Sequence, residues 1–109
     1  MNNVGEIADL GEGVLGSSIT SLLTVRDGAA VWVESITLVN NDSANRTCNV
    51  YINRSGTRRR ISPKDLTVRA GYMVELDSGY SLQAGDAIEA AASAGDVIEW
   101  TMNGFERAA

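Results

Sequence analysis

The sequence has no histidine and one cysteine, Cys48, among its 109 residues. These absences exclude a Ser-His or Cys-His catalytic pair, a histidine metal ligand, a zinc site on paired cysteines and an internal disulfide. Of the common catalytic chemistries, that leaves only the chemistry of carboxylates. The sequence therefore predicts neither a metal site nor a cofactor.

Targeting signals and basic character are also lacking. Residues 1–6 have neither the basic nor the apolar region of a signal peptide, and no apolar run approaches the roughly 20 residues of a membrane span. The formal net charge of -5 argues against a surface that wraps DNA or a membrane. A chain of this length buries one core, so we expect one folded domain.

Short alternating segments, separated by glycine-bearing turns, make up most of the chain. Cys48, Val50 and Ile52, for example, point to one side of a strand, and the only proline, Pro63, ends a short edge segment. About seven to nine strands at this spacing predict an all-β fold, either an antiparallel β-sandwich or a jelly-roll-like barrel. The period-2 spacing predicts the core positions Ile36, Leu38, Val50, Ile52, Val74, Leu76, Ile88 and Ile98.

Residues 86–92 are the one segment for which a helix is an alternative to a strand, because alanine and glutamate favour helix. The segment spans only about two turns between glycines, which is too short for a stable helix, so we predict a strand. At the start of this segment, Gly85 and Asp86 predict a turn. The glycine would have a positive φ, and the aspartate side chain would cap the turn.

Cys48 alternates with core positions, which predicts a small buried hydrophobe. Trp32 and Trp100 each lie within a predicted strand. We interpret both tryptophans as core or interface anchors, whereas an exposed coplanar pair would favour a sugar-stacking platform.

The first segment differs from the rest of the chain. Gly5, Gly11 and Gly13 lie within it and Gly16 follows it, it has no sustained period of either kind, and it carries the acidic residues Glu6, Asp9 and Glu12. We predict that residues 1–15 form an N-terminal arm that serves assembly, and that residues 16–109 form the β-sandwich domain.

Two groups of oxygen-bearing side chains are candidate sites. Residues 40–42 could offer ligands to calcium, but their spacing matches no complete ligand set and favours a turn. A glycosidase needs two carboxylates across a cleft, and a domain this small has little room for one, so an acidic solvated face is favoured. The carboxylates in question are Glu75, Asp77, Asp86, Glu89, Asp96 and Glu99.

Charge is unevenly distributed along the chain. Residues 46–69 hold seven basic residues and one acid, which gives +6, whereas the remainder of the chain carries -11. In an extended segment Arg58 and Arg60 share one face and Arg59 takes the other. Two interpretations stay open: these arginines meet acidic groups of a copy or neighbour, or they guard a sheet edge against mispairing.

Nucleic-acid binding by the same arginines is disfavoured, because no aromatic residues are set among them and the overall charge opposes it. We predict a partner-binding surface that comprises the arginines and the acidic residues of the arm: Arg58, Arg59, Arg60, Glu6, Asp9 and Glu12.

Four segments carry a family resemblance: ITLVN at 36–40, VYI at 50–52, LxxGDxI at 82–88 and WTMNGFE at 100–106. Over roughly residues 14–107 the chain resembles small β-sandwich virion proteins of tailed bacteriophages. Members of that group decorate or cement capsids, or sit in the neck and tail. The shared motifs are turn and strand signatures, so the resemblance implies an architecture and assigns no functional residues.

The resemblance implies a non-enzymatic structural protein of a phage particle. We expect a capsid decoration or cement protein, a homo-oligomer that binds the major capsid protein in a virion assembled in the host cytoplasm, without nucleic-acid or membrane partners. A tail or head-to-tail connector protein is the alternative. A carbohydrate-binding β-sandwich module is the alternative of another class.

Overall fold

The structure is a computed structural model that describes residues 6–77 and 79–109, with side chains described from residue 10. These residues form ten strands and no helix, and therefore no helix that could cross a membrane. The strands are β1 (Glu6–Val14), β2 (Thr20–Thr24), β3 (Ala29–Asn40), β4 (Arg46–Arg54), β5 (Thr57–Arg60), β6 (Leu66–Val68), β7 (Met73–Leu76), β8 (Tyr80–Gln83), β9 (Ala87–Ala92) and β10 (Ile98–Ala108).

The strands form two antiparallel five-stranded sheets. In sheet A the order is β1-β10-β3, and β3 pairs along one half with β7 and along the other with β8. In sheet B the order is β2-β9-β4, and β4 pairs with both β5 and β6. The predicted all-β sandwich is confirmed. Ten strands exceed the predicted number because residues 6–14, placed in the arm, form strand β1.

The core lies between the sheets and follows the period of two along each strand. Six predicted core positions are buried, and the other two, Val74 and Leu76, are half-buried and pack against them. In β3 the period of two changes phase at an irregularity in its pairing with β10: Val31 and Val33 are buried before it, and Ile36 and Leu38 after it. The remaining buried apolar side chains are Leu15, Val25, Ala29, Cys48, Val68, Leu82, Ala87, Ala90, Ala92, Trp100 and Met102.

Residues 87–92 form strand β9, so the predicted preference for strand over helix is confirmed. The turn before β9 also has the predicted form. Gly85 has a φ of +90°, and the backbone N–H of Gln83 donates to Oδ2 of Asp86 at 2.9 Å. Pairing with β2 and β4 on its two sides overrides the helical propensity of the alanines.

The indole of Trp100 shapes the edge of sheet A. Trp100 is 7% exposed and lies opposite Gly13 of β1, where a Cβ would lie 3.2 Å from the indole Nε1. A glycine therefore lets the edge strand cover the indole closely. Leu15, directly after β1, is fully buried. The described part of the predicted arm thus contacts the core, and the division of the chain at residue 15 remains a prediction.

We predict that Ile52→Ala lowers the free energy of unfolding by about 2 to 5 kcal/mol, because the change leaves a cavity in a packed core. Chemical denaturation measures the difference. Ile19→Ala is the matched control, since Ile19 is exposed and its truncation should change stability by less than about 0.5 kcal/mol. Equal effects of the two changes would contradict the assigned core.

Cys48 is buried, as predicted, and burial raises the pKa of its thiol to about 11. The thiolate is the reactive form, so the folded protein keeps this thiol neutral and shielded at physiological pH. We expect no reaction with a thiol reagent at neutral pH in the native state and complete reaction in denaturant. Rapid labelling of the native protein would place Cys48 at the surface.

Candidate functional site

The predicted arginine cluster lies on β5, an edge strand of sheet B whose residues are all exposed. Its register with β4 places Arg58 and Arg60 on the outer face and Arg59 opposite Ile52, which points into the core. An unpaired strand edge can pair wrongly with a strand of another chain, and a row of charged side chains disfavours such pairing. The geometry is therefore compatible with both interpretations of the cluster.

The three arginines differ in their contacts. Nε of Arg58 donates to Oε1 of Glu89 at 2.8 Å, and the Arg58 guanidinium lies 5.8 Å from the ring centroid of Tyr51. Nε of Arg60 donates to the carbonyl of Ser62 at 3.0 Å. Among the described residues, Arg59 has no side-chain hydrogen bond or ion pair. Arg58 thus forms an ion pair within its own chain, and Arg59 is the arginine of the three whose guanidinium is most available to bind another molecule.

The acidic part of the predicted surface lies elsewhere. Glu12 is exposed on β1, the edge strand of sheet A, and the side chains of Glu6 and Asp9 fall outside the described residues. β1 and β5 belong to different sheets. The structure therefore does not bring Glu12 together with the arginines of the same chain.

Two of the six candidate carboxylates pair with arginines. Oδ2 of Asp86 accepts the turn hydrogen bond of Gln83 and lies 3.5 Å from Nε of Arg54, and Glu89 pairs with Arg58. In these roles they stabilise turns and link strands. The remaining four do not form a group of three potential metal ligands within the described part of the chain.

Residues 40–42 form a turn held by its own side chains. The buried Asn40 amide donates to the carbonyls of Ala44 and Val68, both at 2.9 Å, and its oxygen accepts from the N–H of Asp42. The guanidinium of Arg46, 2.6 Å from the Asp42 carboxylate, holds the pKa of that carboxyl below its usual range. The predicted turn is confirmed, and the side-chain oxygens of Asn40 and Asp42 accept hydrogen bonds from Asp42, Ser43 and Arg46.

The two tryptophans have different environments. Trp100 is in the core, whereas Trp32 is 42% exposed on the outer face of sheet A. Its Nε1 lies 3.2 Å from Oε1 of Glu34, and a Cβ on Gly79 would lie 2.5 Å from its ring. Two independent contacts therefore hold the exposed ring in place. Phe105 lies beside it on β10.

The Trp32 ring borders a groove of about 400 Å³. The other residues that line it are Ala30, Val31, Ser81, Leu82, Gln83, Phe105 and Arg107. This combination of an oriented aromatic ring with a few polar groups is typical of a contact surface.

Sequence reasoning missed the apolar side chains on the outer face of sheet A. Val14 and Met73 are among the exposed large hydrophobics of the described chain, and both lie on this face. Val14 and Met73 come from segments 59 positions apart in sequence, and only strand pairing places them on one surface. Alternation within each strand could have identified the side chains, but not their neighbours.

No protein-family model matches the chain, and no curated protein sequence matches it. Several solved structures match the chain in fold. A chain of the acidic stable capsid structure of Helicobacter pylori bacteriophage KHP30 matches with a TM-score of 0.52 at 12% identity, covering 98% of this chain and 90% of that chain.

Two other matches come from a Drosophila protein and from metagenomic phage sequences. Drosophila NLP-core, a structure that provides insight into pentamer formation and histone binding, matches with a TM-score of 0.50 at 12% identity, over 87% of this chain and 94% of that one. A pentameric capsid protein isolated from metagenomic phage sequences has a TM-score of 0.44 at 16% identity, over 89% of this chain and 59% of that one. At such identities these similarities describe the fold alone.

Proposed function

We propose that the chain is a non-enzymatic structural protein of a phage particle, a decoration or cement protein that binds the major capsid protein. The observation that carries the proposal is the similarity to a chain of a bacteriophage capsid structure along 98% of this chain and 90% of that one. The match includes nearly all of both chains, so the similarity concerns the complete β-sandwich rather than a part of it.

The surface of the domain supports a role in contacts. The exposed ring of Trp32 is already oriented by Glu34 and Gly79, so little side-chain entropy is lost when a partner covers it. Tryptophan and arginine are the residues most enriched at the energetic centres of interfaces. The Trp32 groove is therefore the surface that we propose for the capsid protein.

We propose further that the chain is a homo-oligomer. The unlike charges of residues 46–69 and of the rest of the chain suit contacts between copies. Drosophila NLP-core, which shares the fold, is a protein for which pentamer formation is described. The predicted partner-binding residues remain part of this proposal, with Arg59 and Arg60 more available to a neighbour than Arg58.

Two other functions remain as alternatives. A protein of the tail or head-to-tail connector would use the same fold and the same kind of surfaces. The exposed Trp32, with Ser81, Gln83 and Arg107 around its groove, favours a carbohydrate-binding module as the candidate of another class. Quenching of Trp32 fluorescence by oligosaccharides, absent in Trp32→Phe, would support the carbohydrate candidate.

We predict that a small epitope tag after Ala109 labels the whole capsid in electron micrographs of purified phage particles. Labelling confined to the tail or neck would favour the connector alternative. Particles without label, obtained from cells that make the tagged chain, would contradict a virion role. Trp32→Ala should reduce capsid labelling while leaving the fold intact, because Trp32 lies outside the core.

We also predict that deletion of residues 1–15 leaves a folded domain that is incorporated less well into particles. The free energy of unfolding should fall by at least about 2 to 5 kcal/mol, since the fully buried Leu15 is lost with the segment. Circular dichroism and denaturation measure the fold, and particle labelling measures incorporation. Deletion of residues 1–9, which retains Leu15, is the control. Loss of cooperative unfolding would show that β1 is integral to the domain.

A further inference from the structure

The outer face of sheet A carries a cross-strand row of apolar side chains with one acid in it. The register aligns Val14 of β1, Glu99 of β10, Val39 of β3 and Met73 of β7. Val14 is 47% exposed and Met73 is 59% exposed. Neighbours across antiparallel strands lie side by side, so these residues form a continuous strip across four strands.

A second row runs parallel to the first and adds two further acids. It aligns Glu12 of β1, Thr101 of β10, Thr37 of β3 and Glu75 of β7. We call the two rows together the acidic face. Its three carboxylates, including that of Glu99, form no ion pair with any described residue. The face therefore combines uncompensated negative charge with exposed apolar surface.

A depression of about 380 Å³ lies within the acidic face. Glu12 and Glu99 both line it, together with Val14 and Thr101. A planar guanidinium suits such a recess, because it forms paired hydrogen bonds to carboxylates and its methylene stem packs on apolar neighbours. The acidic face is therefore suited to binding an arginine side chain of a partner.

The same chain presents available arginines on its other sheet. Arg59 has no side-chain partner among the described residues, and Arg60 uses only Nε on the carbonyl of Ser62. Both lie on β5, at the edge of sheet B. The outer face of sheet A points away from sheet B, so these arginines cannot reach the acidic face of their own chain. They can reach that of a second copy.

We propose that the acidic face of one copy binds the arginine strand β5 of a second copy in a head-to-tail contact. This inference rests on the proposed homo-oligomeric function and names the two surfaces that meet. Because the surfaces differ, a pair of copies joined by one contact retains a free acidic face on one copy and a free arginine strand on the other. Repetition then yields a closed ring or an open filament rather than an isologous dimer.

The test uses the purified full-length chain and single charge reversals on each surface. Glu99→Arg alters the centre of the acidic face, and Arg59→Glu alters the arginine strand. We expect each variant alone to associate about a hundredfold or more weakly than the unaltered chain, measured by sedimentation at low salt. Asp27→Arg, the same charge change as Glu99→Arg but at an exposed turn away from both surfaces, is the control and should assemble normally.

Mixing the two variants gives the sharpest result. Glu99→Arg retains an intact arginine strand and Arg59→Glu retains an intact acidic face, so mixing equal amounts should restore the association that each variant lacks alone. The two altered surfaces also carry opposite charges, so they favour assemblies in which the variants alternate. The mixed assembly should dissociate as salt is raised, because salt screens exposed charge pairs. Circular dichroism confirms that both variants are folded.

Normal assembly of either variant alone, or a mixture that stays monomeric, would overturn the head-to-tail contact. A monomeric unaltered chain would overturn it as well. If that monomeric chain still labelled the capsid, the proposed virion function would be supported although the head-to-tail contact was not. The experiment therefore distinguishes failure of the contact from failure of the proposed function. If Glu99→Arg abolished labelling in that case, the acidic face would bind a basic surface of the particle instead.

Discussion

The antiparallel pairing of β3 with β10 sets the positions of the other strands of sheet A and of the core that they cover. The two strands align from Asn40 opposite Ile98 to Ala29 opposite Ala108, and β10 in turn holds β1. Side chains alternate across this ladder, so the same register that buries Leu38 and Met102 presents residues such as Glu99 outward. A shift by one residue would exchange the core side chains of these strands with those of the Trp32 groove and the acidic face.

The charges of the molecule divide into two groups with different roles. Ion pairs such as Arg58 with Glu89 and Arg54 with Asp86 link strands or turns within the chain. Partly exposed pairs contribute little stability, about 0 to 1 kcal/mol each, so these contacts mainly set geometry. Charges without an ion-pair partner in the described chain, among them those of the acidic face and of Arg59, are available to other molecules.

The outer face of sheet A is divided along the β3–β10 ladder. One half holds the oriented ring of Trp32 beside Phe105, and the other holds the acidic face around Glu99. The aromatic half is suited to burial against a shape-complementary partner, whereas the charged half selects a basic one. A subunit with two such surfaces can contact its copies and a different protein at the same time.

Much of the fold could be read from the sequence, because period-2 alternation and turn residues are local signals. They correctly identified Ile36, Val50 and Ile88 as core, Cys48 as buried and residues 87–92 as strand. β1 was not recognised as a strand, since its glycines, which leave room for the Trp100 indole, remove the alternation. The space left by these glycines is filled by Trp100, which lies more than eighty positions further along the chain, so no local pattern reveals the need for it.

The candidate surfaces could be predicted only in part, for the same physical reason. The excess of positive charge in residues 46–69, the lack of histidine chemistry and the alternating faces of Arg58, Arg59 and Arg60 follow from the sequence alone. The folded arrangement of the strands was needed to show that Glu89 pairs with Arg58, that Trp32 is exposed while Trp100 is buried, and that Val14, Glu99 and Met73 share one face. Alternation fixes which side of a strand a residue occupies, whereas its neighbours depend on which distant strands pair and in what register.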